Sequence, residues 1–410
     1  MGFKGLITAS NWVTANDDIL GPLERASYTS GDFIDRHGYY GGIHEGEAAA
    51  WSIREDHEIG HRSALGFENA EFQKPISFTH PAFDLKINGM PSMISETTFT
   101  RPNRYRTEAP LFYAAYGALQ GSDSIIHFAL DSAEWQVKPR YFIQPWTLMS
   151  PTMMGQFPAA ALIYRQGLIG EGEMMADVTL TLADAKALKG SPLSQQANLD
   201  SLRQADISGT SILSRDAAID PRVHLIGRTQ LNLTNQSKPQ KIRDLAPFIN
   251  EAEKTITSST RELQLNYGRK LLRLDSPSAQ GIVGNLRAAN ITDLPQVSIQ
   301  SDLELGSIIL VSLDGKTLKD SGKILLQVMS EEKPTGYKDE PIGNGRFKIT
   351  QLGTDPWLFR EPICTVQLKR NDIAKLKVTP LDLNGYPKGP AETSATITLK
   401  PDTAYYLIEN

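Results

Sequence analysis

Cysteine is nearly absent. Cys364 is the one thiol in 410 residues, which excludes intrachain disulfides and cysteine-based zinc sites, while a chain with a large core does not need cross-links in any compartment. No stretch approaches the roughly eighteen consecutive apolar residues that would cross a bilayer as a helix. The opening MGFKGLITAS lacks the basic start, apolar run and small-residue cleavage site of an export signal. A bias of charge is missing too: 42 Lys and Arg stand against 47 Asp and Glu, a net charge of -5 with no blocks. Neither nucleic acid nor a membrane surface is therefore an expected partner. The sequence has no G-x-S-x-G and no G-x-G-x-x-G, and DGKT at 314–317 lacks the upstream glycine of a phosphate loop. Serine-hydrolase and nucleotide-binding readings have no support.

What is present is ordinary globular material, 40% hydrophobic and 22% charged, long enough for two or three domains. The first part reads as alternating strand and helix. Strand-like runs are GLITAS (5–10), followed by Asn11 and Trp12; DFIDRHGYY (32–40), carrying His37 and Tyr39; SMISET (92–97), ending on Glu96; and SIIHFAL (124–130), carrying His127. Between the second and third lies a polar excursion of about fifty residues, too long for an ordinary connector and suited to a functional loop. Thr107 and Pro110 can open a helix on which Leu111, Ala115 and Leu119 recur at helical spacing. A second apolar stretch opens at Ser150-Pro151, where Pro158 should kink or restart the helix and Gly167 can end it. Short strands with polar residues at their C-terminal ends suit a parallel sheet wrapped by helices. The segment 171–255 reads as a connecting subdomain. From 256 to 410 apolar and polar residues alternate, as in Leu376 and Val378 against Lys375 and Lys377, with turns at Asp314-Gly315 and Asn384-Gly385. That pattern predicts an antiparallel β-sandwich.

The sharpest short motif is His57-Glu58-Ile59-Gly60-His61. It matches H-E-x-x-H, in which two histidines one helical turn apart bind zinc and the glutamate activates water. Gly60 weakens the helix it requires, and Ala64 and Phe67 stand where the extended motif has its glycine and third histidine. HEIGH is therefore read as a chance match in the long polar loop after the second strand, with a zinc peptidase as the alternative; His44, His57, His61 and His80 share that loop, so an incidental or structural metal stays open.

Glu96 ends an apolar run, the position from which a carboxylate can attack an anomeric carbon. A strand-end glutamate paired with Arg101 or Arg104 is the plainer alternative. The ordered series Asn11-Trp12, His37-Gly38-Tyr39, SMISETTFTRPNRYRTEAPLFYAAYGALQ and SIIHFALD resembles strands five to eight of the retaining (β/α)8-barrel glycoside hydrolases, the clan of cellulase-like and β-galactosidase-like enzymes. SSTRELQLNYGRKLLRLDSPSAQGIVGNL looks like the β-domain that follows the barrel in large members. The resemblance covers residues 1–170 for the barrel and 256–410 more loosely. It implies a partial TIM barrel followed by a β-sandwich, with Glu96 as nucleophile toward a β-linked oligo- or polysaccharide. It further implies Asn11, Trp12, His37, Tyr39, His127 and Trp135 around the sugar, no cofactor and no metal, and an extracellular or periplasmic full-length parent. Trp146 is a further sugar-stacking candidate, although core packing explains any single tryptophan as well. Clan members carry the acid/base as Asn-Glu upstream of these motifs, whereas Asn250-Glu251, the one such pair here, lies downstream. The expectation is that the acid/base belongs to a preceding segment, which would leave the isolated chain a carbohydrate binder or inert. Asp35, Glu45, Glu47 and Asp131 are the local alternatives.

Overall fold

The computed structural model describes residues 4–11, 17–66, 81–83, 85–130, 144–190, 219–220 and 222–410. Three strands, Ile34–Tyr40, Ser92–Phe99 and Ser124–His127, form a parallel sheet in that order. Among the described residues, only the second and third are joined through an α-helix, Ala109–Gln120. All twelve of its residues are buried, as expected for a helix apolar on every side. Pro110 sits in its first turn and Gly121, at φ 62°, closes it. Thr107 is not its cap: it is buried in the preceding 3-10 turn, Arg104–Glu108, which Asn103 caps by accepting the Tyr105 N–H. The 150–167 stretch divides as two helices, Pro151–Met154 and Phe157–Arg165, with Pro158 in the first turn of the second.

The half-barrel does not form. Strands dominate the described residues, in several separate sheets, and the strand–helix alternation of a (β/α)8 barrel is missing. Gly5–Ser10 is not a strand: Ile7 and Thr8 bond to Asp32 and Phe33 along the edge of the sheet, and Leu6 is 75% exposed. The physical reason for the lost alternation lies in the 41–91 connection, whose described residues contain no α-helix. Its strand Glu58–Gly60 pairs with His44–Glu45 on one side and with Arg346–Gln351, nearly 300 residues away, on the other. The residues drawn into this antiparallel pairing cannot also form a helix to cover the parallel sheet.

Residues 171–255 contribute a mixed four-stranded sheet in which Met174–Thr181 and Arg228–Thr234 run parallel, joined by Lys86–Ile87 and Lys241–Ile242. Beyond it lies a nine-stranded antiparallel sheet from Ile249–Asn250 to Lys377–Leu381. A second sheet, containing Val297–Ser301 and Cys364–Leu368, shares an apolar core with it built from Ile282, Ile308, Leu326, Val297, Val366 and Ile397. The other face of the large sheet belongs to a continuous core that includes Tyr40, Phe112, Leu265 and Tyr405. Residues 332–359 leave the sandwich as one long hairpin, Glu332–Thr335 pairing with Thr354–Phe359 at its base and Lys338–Gly343 with Arg346–Gln351 at its tip, and the tip pairs with the Glu58–Gly60 strand.

Glu108, fully buried, holds the 63–65 segment against the helix N-terminus: its carboxylate accepts Ser63 Oγ–H at 2.7 Å and the Ala64 N–H at 2.8 Å. Burial pushes its pKa up to about 8 in spite of those bonds. A carboxyl that holds its proton more tightly when folded adds stability that is full below its unfolded pKa, about 4.5, and is lost as pH rises through about 8. Glu108→Gln is expected to flatten that part of the stability curve, read as urea midpoints between pH 5 and pH 9. A slope identical to wild type would refute the assignment.

Candidate functional site

Glu96 stands where its strand is irregular. Arg36 pairs with Ile94 and His37 with Glu96, so Ser95 is skipped. The pairing on the other side likewise jumps between Ile94 and Thr97. Such a bulge re-aims a side chain, and it leaves Ser95 and Glu96 both part-exposed between buried neighbours. The Ser95 N–H is taken by Asp35 Oδ1 at 3.0 Å. Asp35 is buried, and desolvation raises its pKa above the ordinary carboxylate value against the opposing bonds from Ser95.

Tyr39 donates its phenolic hydrogen to Glu96 Oε2 at 2.7 Å. The phenol is itself positioned: the Tyr39 ring meets Phe128 edge-on at 6.2 Å and lies 6.2 Å from the His37 ring. Asn11 donates Nδ2–H to Ser95 Oγ at 3.0 Å and accepts the His37 N–H at 3.2 Å. Asn11, His37, Tyr39 and Glu96 are thus brought together at one end of the parallel sheet. A charge-assisted bond of this kind holds a carboxylate in one orientation, which is what an attacking carboxylate requires. Arg101 and Arg104, the alternative partners for Glu96, are engaged with Glu332 and with Glu331 and Glu304.

His127 is placed elsewhere. It pairs with Thr97, whose hydroxyl meets Tyr113 of the covering helix. The His127 ring is wedged edge-on between Tyr113 at 5.2 Å and Phe157 at 5.0 Å. Desolvation there pushes its pKa down to about 4, so the ring is neutral at pH 7. Its neighbour Phe128, pointing to the opposite face, is the residue that reaches Tyr39. Strand alternation would have singled out Phe128 once the face of Thr97 was known. Ser95 was overlooked because a bulge has no signature in a sequence of this kind. Trp12 and Trp135 lie outside the described residues, as do Asp131 and His80. Glu45 and Glu47 pair with Arg346 and Arg54. Glu251 pairs with Arg222 and accepts from Tyr267, beside the large sheet.

The zinc motif is a strand. Residues 58–60 are extended, so His57 and His61 lie roughly 13 Å apart along the chain instead of one helical turn apart. They cannot share an ion. His57 Nδ1 is 2.9 Å from His44 Nε2, and its Nε2 is 3.0 Å from the Glu47 carbonyl. His61 accepts the Arg104 N–H and lies 5.5 Å from the Phe347 ring, while Glu58 pairs with Arg346. Burial lowers the pKa of all three histidines, to about 4 for His44 and His61. Among the described residues, no group of three or more His, Cys, Asp or Glu side chains is arranged to hold a metal ion, and no helix is long and apolar enough to cross a membrane.

No protein-family model, curated protein or solved structure matches the chain.

Proposed function

We propose that the chain acts on a β-linked glycan by the retaining route, with Glu96 as the nucleophile. In this reading a Glu96 oxygen attacks the anomeric carbon as the bond to the leaving oxygen breaks; water later cleaves the glycosyl ester, its hydroxyl going to the anomeric carbon and the proton it gives up making good the one taken by the leaving oxygen. The observation that carries it is the Tyr39 hydroxyl on the Glu96 carboxylate, 2.7 Å apart, at a bulge that turns the carboxylate out of the strand. Asn11, through Ser95, and His37 and Phe128, through Tyr39, hold that pair in place.

The test is covalent trapping with dinitrophenyl 2-deoxy-2-fluoro-β-glycosides of gluco, galacto, manno and xylo configuration. The leaving group departs without a general acid, so trapping asks about the nucleophile alone. Expected is a stoichiometric mass increase located on the peptide containing Glu96. A label on another carboxylate, or none from any of the four reagents, would sink the proposal; retained oligosaccharide binding in the latter case would identify a carbohydrate-binding protein instead.

Tyr39→Phe keeps the ring against Phe128 and deletes the hydroxyl. A hydrogen bond to a charged group is worth about 1.5–3 kcal/mol, so trapping should slow by roughly 10- to 100-fold with no change in melting temperature. An unchanged trapping rate would mean that the phenol does not serve the reaction.

A further inference from the structure

We propose that Trp51, set edge-on against Trp146, is an aromatic platform that binds a further sugar ring of the substrate beyond the one attacked by Glu96. The inference rests on the glycan reading above and extends it to a specificity determinant. Trp51 is 62% exposed, and its ring stands at 89° to that of part-buried Trp146, with centroids 5.5 Å apart. The two come from different loops, one following the His37 strand and one following the His127 strand, and both loops leave the sheet at the end where Glu96 is presented. The Trp146 carbonyl accepts the N–H of Ala129, next to Phe128. Phe128 packs on Tyr39, and Tyr39 bonds to Glu96. A continuous line of contacts therefore joins the tryptophan pair to the carboxylate.

The loop that carries Trp51 is held in place. The Trp51 and Ser52 N–H groups both bond to the Ala48 carbonyl. His57 fixes the Glu47 carbonyl, with His44 behind it. Asp56 and His57 exchange backbone bonds with Ile349 of the distant hairpin. An exposed indole on a fixed loop loses little freedom on binding, and its face suits the apolar C–H face of a pyranose. The orthogonal Trp146 ring would border that face on one side and limit how the sugar ring is turned.

Trapping rates decide the matter when a fluoro-monosaccharide reagent is compared with its di- and trisaccharide counterparts, on wild type, Trp51→Ala and Trp51→Phe. Expected is a roughly ten-fold loss in Trp51→Ala for the longer reagents, a change within about two-fold for the monosaccharide, and an intermediate value for Trp51→Phe. Equal effects on all reagents, or no effect on any, would overturn the platform while leaving Glu96 as nucleophile. If wild type is not trapped at all, the glycan reaction fails separately. Quenching of tryptophan fluorescence by the underivatised oligosaccharides then decides: quenching lost in Trp51→Ala upholds the platform, and quenching that is absent in wild type or unchanged in the variant overturns it.

Discussion

Glu96→Gln is expected to abolish trapping by every fluoro-glycoside, a loss on the order of 10⁴-fold or more, as when a reacting nucleophile is removed. The variant should keep the wild-type melting temperature, because Glu96 is part-exposed and its one hydrogen bond in the described structure comes from Tyr39. A neutral amide can still accept from that phenol, so geometry survives while nucleophilicity does not. The informative companion is Glu96→Ala with azide or formate added. A small anion in the vacated space can attack the anomeric carbon from the same side, and rescue would yield a product of inverted configuration. Rescue by azide with no rescue in Tyr39→Phe would separate loss of the attacking atom from loss of its orientation. Residual trapping in Glu96→Gln above about one part in 10³ would point to a different carboxylate.

The second large effect is on stability. Glu332, from the hairpin that leaves the sandwich, has a side chain only 6% exposed, between Arg106 Nη1 at 2.9 Å and Arg101 Nη2 at 3.6 Å, and its other oxygen accepts the Thr152 N–H at 2.9 Å. Burial alone would raise its pKa, but the two guanidinium groups outweigh burial and hold the carboxyl below its usual range. Removing the carboxylate leaves buried positive charge facing positive charge. Glu332→Ala should therefore cost about 3–5 kcal/mol in urea unfolding, and Glu332→Gln, which keeps an acceptor but no charge, should fall between it and wild type. Because Arg101 and Arg106 lie in the turn directly after the Glu96 strand, both variants should also slow trapping in proportion to how far that turn moves. A loss below about 1 kcal/mol in Glu332→Ala would show that water already screens the cluster.

The parts of the structure legible in advance are those set by local chemistry. The strand around His37 and Tyr39, the strand around Glu96, the buried helix after Pro110 and the restart at Pro158 all follow from residue type and spacing. The meeting of Tyr39 with Glu96 was also accessible, since two parallel neighbours place equivalent strand ends side by side. The half-barrel, the expectation that the structure overturned, failed for a tertiary reason. HEIGH has the spacing of a helix, yet Glu58–Gly60 gains a partner in Phe347 and Lys348 and becomes a strand. Once that pairing exists, the zinc motif is dismantled and the described residues of the connection supply no barrel helix. The register that sets the His127 ring against Tyr113 is likewise a property of the sheet.

By itself, then, the sequence determined the local conformations, the absence of disulfides and the identity of the carboxylate worth testing. Only the tertiary structure decided that residues 338–351 capture the 58–60 strand, that a bulge at Ser95 turns Glu96 outward, and that Trp51 meets Trp146. Backbone pairing between segments nearly 300 residues apart depends on which edges are left open after the cores have formed, and no local pattern of side chains records that outcome.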